Sequence, residues 1–207
     1  MSAATHEQTG GESDLAALRA LAEEGRDRPL LGGREFVVFG LAIAFASAVH
    51  GAIVAGWLPL PPSALAIVWF VVIGGAVFVT RMTRSGHTAV GVANRVEWEV
   101  WRAGGWVLAV LAIGILAHAM LTGVEGYRLF ALMPPVTFGV YAIALAASSA
   151  AARADYLRPY AALSVAFVAL TVMLASTVWL YWAAAVGALV VSVLPGLTLL
   201  RRERTYG

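Results

Sequence analysis

Residues 160–199 read YAALSVAFVALTVMLASTVWLYWAAAVGALVVSVLPGLTL, a stretch without one charged side chain or histidine. A membrane-spanning helix needs roughly 20 mostly apolar residues at about 1.5 Å of rise each. Forty residues in a single helix would reach about 60 Å, twice the hydrocarbon thickness of a bilayer. The stretch therefore holds two spans, 160–177 and 180–199. Their turn is placed near Ser176–Tyr181, where Thr177, Trp179, Tyr181 and Trp182 resemble an interfacial aromatic belt. Working backwards, four more apolar runs follow the same rule, at about 36–57, 64–81, 104–121 and 128–151. The fold class is an all-α polytopic membrane helix bundle with six transmembrane helices.

Composition agrees with that count. Of the 207 residues, 60% are hydrophobic and 13% charged, where soluble domains carry about 25% charged residues. The net charge is +2 and the basic residues are spread over several loops, so no nucleic-acid partner is expected. There is no Cys, which excludes disulfides and thiolate chemistry. The polar start lacks the short apolar core of a secretory signal peptide, so the first span is expected to direct insertion.

Arginine positions orient the bundle. All 14 basic residues are Arg. Arg19, Arg26, Arg28 and Arg34 precede the first span, and Arg81, Arg84, Arg95 and Arg102 lie between the second and third. Arg153 and Arg158 join the fourth to the fifth, and Arg201, Arg202 and Arg204 follow the sixth. The alternate loops hold Arg128 alone. Positive loops face the cytoplasm, so both termini are expected there (N-in/C-in), in a bacterial inner membrane.

The polar segments divide further. Residues 1–12 read as a disordered tail. Residues 13–35 form a cytoplasmic amphipathic helix and linker: Ser13 is an N-cap, Gly25 a C-cap, and Leu15, Leu18 and Ala22 share one face. Three turns are marginal alone. The stripe over residues 13–25 rests on the membrane surface, on the protein itself or on a cytoplasmic protein partner. Residues 86–103, GHTAVGVANRVEWEVWRA, read as a juxtamembrane helix lying among the headgroups. Residues 201–207 form a basic tail.

Two features concern packing and chemistry. The first span carries Gly40, Ala44, Ala48, Ala52 and Gly56, and the sixth carries Ala184, Ala188, Ser192 and Gly196. Small residues at every fourth position let helix backbones approach closely in lipid, within the bundle or against a second copy in a homo-oligomer. Pro134–Pro135 predicts a kink or a late start in the fourth span, and Pro195 fraying or a kink in the sixth. No Asp, Glu or Arg falls in the middle of a span, which counts against ion or proton pathways. No catalytic motif or cofactor signature occurs. His50 and His118 both fall in the outer leaflet, level with Pro134. They mark a candidate outer-leaflet pocket, because imidazole suits proton exchange and metal or haem ligation. The plainer reading is that each hydrogen-bonds a neighbouring span.

The stretches DLAALRALAEEG followed by LLGGREFVVFG, then NRVEWEVW, then ASSAAARADYLRPY carry a resemblance. In that order they resemble a group of uncharacterised six-span bacterial membrane proteins. The group has no assigned activity, so the resemblance implies topology and nothing about mechanism. The expected function is a non-enzymatic scaffold or regulatory membrane protein, the alternative a small carrier or permease for an uncharged or lipophilic solute.

Overall fold

The computed structural model describes residues 32–61, 63–82, 92–123 and 128–206, with side chains left out at 92–94 and 203–206. The expected helix over 13–25 lies outside the described residues. Among the described residues the fold is all-α, and six helices are long and apolar enough to cross a membrane. The elements are α1 (Gly33–Val54), α2 (Ala64–Met82), α3 (Val92–Thr122), α4 (Met133–Ala152), α5 (Arg158–Met173), α6 (Trp179–Ala188) and α7 (Leu194–Tyr206). A π turn, Leu189–Val193, joins α6 to α7 as one sixth span.

Prolines account for much of this punctuation. Pro134 and Pro135 occupy the first turn of α4, where a missing N–H leaves no bond unmade, and a 3-10 segment (Arg128–Leu132) leads into them. The late start of the α-helix is the outcome. Pro159 opens α5 after a 3-10 turn at Asp155–Leu157 in the same way. Pro195 has no first turn to use. It would collide with the carbonyl four residues back, and the backbone widens over Leu189–Val193 just ahead of it. The helix then continues through Tyr206. The helix does not fray at Pro195, its local irregularity is this π turn, and the expected basic tail from residue 201 is helix through Tyr206.

Two other expectations are corrected. The third span does not begin at 104 after a separate helix among the headgroups. From Val92 onward the backbone is one 31-residue helix, about 46 Å long. Gly104–Gly105 lies inside it, with Val140 of α4 against Gly104. Residues 86–91 lie outside the described residues. The fifth-to-sixth turn falls at 174–178, slightly before its expected place, so Trp179, Tyr181 and Trp182 begin α6 rather than cap a loop.

α1 runs antiparallel to the sixth span along its whole length. Gly51 faces Tyr181 and Trp182, Gly40 faces Ser192 and Val193, and Gly196 faces Gly33 and Phe36. α4 packs against α5 on one side and α3 on the other, while α2 packs on α1. The core lies where α1, α4, α5 and the sixth span meet: Phe36, Phe138, Tyr141, Leu145, Leu157, Ala184, Val191 and Leu199. α2 and α3 flank it.

Helical geometry explains which small residues enter that core. Each four-residue step overshoots a full α-turn by about 40°. The stripe Gly40, Ala44, Ala48, Ala52, Gly56 therefore walks around α1. Gly40 and Ala44 are buried, Ala48 and Ala52 half-buried, and Gly56 lies beyond the helix end. Gly56 has φ +75°, and the amides of Trp57 and Leu58 bond back to the Ala52 carbonyl, a left-handed stop signal rather than a packing position. The face α1 buries runs Gly33, Phe36, Gly40, Ala44, Ser47, Gly51, mixing steps of three and four. In the sixth span the π turn cancels the drift, so Ala184, Ala188, Ser192 and Gly196 all stay buried.

Candidate functional site: two buried polar clusters

His50 lies near the C-terminal end of α1 and is buried. The Trp69 Nε1–H of α2 donates to its Nδ1 at 3.2 Å. Tyr181 of α6 stacks on the imidazole, with centroids 3.7 Å and planes 18° apart. Gly51 allows this closeness, since a Cβ there would stand 3.2 Å from the Tyr181 Cβ. Trp57 and Trp182 meet just beyond, 5.5 Å apart. An indole N–H can only donate, so Nδ1 is unprotonated and the ring proton sits on Nε2. An imidazole held this way joins three spans, α1 to α2 by a hydrogen bond and α1 to α6 by stacking. Ligation through Nε2 would require that proton to leave.

His118 sits elsewhere. Its side chain is exposed on α3, and its backbone carbonyl accepts from the Thr122 hydroxyl at 2.9 Å. Pro134 is half-buried in the first turn of α4. The expected pocket of His50, His118 and Pro134 is therefore not assembled: one histidine is enclosed by Trp69 and Tyr181, and the other faces outward.

The second cluster, at the opposite end of α1, combines residues the sequence reading left apart. Phe36, Trp101 and Tyr141 meet edge to face, with centroids 4.9 Å apart for Phe36–Trp101 and Trp101–Tyr141 and 6.4 Å for Phe36–Tyr141. The Ser192 hydroxyl donates to the Phe36 carbonyl at 2.7 Å. Its single proton is thereby used, so Tyr141 Oη–H is the donor in the 3.1 Å bond between those two hydroxyls. α1, α4 and the sixth span are tied at one point. Beside it Glu97 is buried, its carboxylate against Gly32 at the N-terminal end of α1, where a Cβ would stand 2.8 Å from Oε1. The positive end of a helix dipole favours a carboxylate there. Among the described residues the buried Trp101 indole N–H and Ser148 hydroxyl have no hydrogen-bond partner.

Sequence reasoning passed over Glu97 by assigning 86–103 to the headgroups. The available signal was the four-residue spacing of Glu97 and Trp101, which puts them on one helical face. Among the described residues no three His, Asp or Glu side chains converge. A shallow apolar groove of about 450 Å³, lined by Trp106, Val107, Val110 and Leu111, lies on the outer flank of α3 and is open along its length. Comparison with protein-family models, curated proteins and solved structures finds no match.

Proposed function

We propose that this chain is a multi-pass protein of a bacterial inner membrane, with both termini cytoplasmic. Its role is that of a non-enzymatic scaffold or regulatory component, engaging a cytoplasmic partner through residues 13–25. The observation that carries the reading is how the buried polar groups are used. His50 through Nδ1, Tyr141 and Ser192 each make a hydrogen bond to a neighbouring span, so the inter-span hydrogen bonds of these three buried groups hold helices together. The arginine bias supports the orientation, and the resemblance to six-span bacterial membrane proteins belongs to the same reading.

The chain has no Cys, which makes a direct topology test simple. Ser2→Cys and Gly207→Cys, made singly, are expected to react with a membrane-impermeant maleimide in inverted vesicles and not in intact cells. Labelling of either in intact cells would overturn the orientation. For the partner, full-length protein and a chain beginning at Leu31 are compared by crosslinking and capture from detergent. Loss of a captured protein on truncation is expected; identical captures would remove residues 13–25 from the role.

A further inference from the structure

The link between α4 and α5 meets the end of α7 in an arrangement that packing alone does not explain. Leu157 of the link and Leu199 of α7 are both fully buried in the shared core. Above them the Arg202 guanidinium lies over the Tyr156 ring, 4.1 Å from its centroid. Arg158 pairs with Asp155 at 3.1 Å, which neutralises the one acidic side chain of the link. Arg153 begins the link, exposed, and has φ +50°. Its amide and that of Ala154 both return to the Ser149 carbonyl, and the Ser149 hydroxyl donates to the Ala154 carbonyl. Glycine normally fills this left-handed position after a helix. A residue with a Cβ is strained there, and nothing in the turn uses the arginine side chain. Among the described residues no ion pair holds it.

We propose that Arg153 and Arg202 flank a binding site for the phosphate of an anionic phospholipid, at the end of the fourth, fifth and sixth spans. Guanidinium groups recognise phosphate oxygens through paired N–H donors. Stacking on Tyr156 holds Arg202 in place, and among the described residues no ion pair takes its edge. Tyr156 is half-buried, lies under Arg202 and follows Arg153 by three residues, and a tyrosine with arginines at the end of a span suits headgroup depth. The proposal rests only on the six helices being membrane spans. It stands or falls independently of the cytoplasmic partner.

The test uses the full chain in a neutral detergent, with the unfolding temperature followed during titration by phosphatidylglycerol, phosphatidylcholine or inorganic phosphate. Phosphatidylglycerol is expected to stabilise the protein at concentrations at least tenfold below phosphatidylcholine, with inorganic phosphate inert. Arg202→Ala and Arg153→Gly should each abolish that tenfold preference. Without lipid, Arg153→Gly should unfold at the same or a higher temperature, because glycine relaxes the strained turn. Arg102→Ala removes an arginine paired with Glu99 on α3 and should keep the preference. Equal loss in Arg102→Ala would mean diffuse surface charge and overturn the site. So would an unchanged preference in Arg153→Gly, or stabilisation by inorganic phosphate at the lipid's concentration.

Discussion

The second and sixth spans are both long, apolar and free of charge over their central turns, yet they occupy opposite environments. Over their most apolar windows the sixth is 56% buried and α2 is 11% buried. Apolarity therefore places a helix in the bilayer without saying where in the bundle it goes. The difference lies in shape. The sixth span presents Ala184, Ala188, Ser192 and Gly196 along one line, and α1 meets it with Gly33, Gly40 and Gly51. On α2, Gly74 and Gly75 have nothing within 4 Å of where a Cβ would stand, while Phe70, Phe78 and Met82 stand exposed around them. Lipid offers a helix the same apolar contacts as another helix does, so close backbone approach decides which helices associate.

The sharpest way to break this comparison is Gly196→Ala. A Cβ there would lie 2.8 Å from the Gly33 carbonyl oxygen and 2.8 Å from the Phe36 Cβ. Neither atom is the end of a flexible side chain, so α1 must separate from the sixth span. Overpacking of a tight core costs about 1–3 kcal/mol, and a backbone obstacle puts this variant near ~3 kcal/mol. Thermal unfolding in detergent measures it. A loss below about 0.5 kcal/mol would show that the contact is looser than its geometry.

Next in size is Ser192→Ala, which removes the donor to Phe36 and leaves the Tyr141 hydroxyl buried without an acceptor. An unsatisfied buried group costs about 1–3 kcal/mol in water-soluble proteins, and hydrogen bonds between spans average nearer ~0.6 kcal/mol. We expect a loss of about 1.5 kcal/mol. Adding Tyr141→Phe should recover part of it, because the stranded hydroxyl is gone. Strict additivity in the double-mutant cycle would mean that the two hydroxyls do not act together.

Span number and placement were readable from apolar run length, because the bilayer imposes one length on every helix that crosses it. The small residues of the sixth span were readable for the wrong reason. A four-residue repeat holds one face there only because Pro195 is preceded by a π turn, while in α1 the same repeat drifts out of the interface. His50 was identifiable as a rare polar group in an apolar run. Its partners Trp69 and Tyr181 were not, since 19 and 131 residues of chain separate them from it. Glu97 was hidden by a rule that works on average: charged residues near a span end belong to the interface. Here α3 extends past that end, and the carboxylate turns inward to the start of α1.

The smallest expected effect is also the one that would most change the comparison. Gly74→Leu puts a large side chain on the outer face of α2, where the monomer leaves open space. Gly is a poor helix former, by about 1 kcal/mol relative to Ala, and Leu is compatible with lipid. If lipid alone covers α2, the variant should match the parent or unfold with up to ~1 kcal/mol more stability. It should also run at the same size in detergent. A clear loss of stability, or a change in oligomeric size, would mean that another helix reaches α2 through the gap at Gly74. The outer face of α2 would then be a helix interface like that of the sixth span, and the contrast between the two spans would belong to the isolated chain alone.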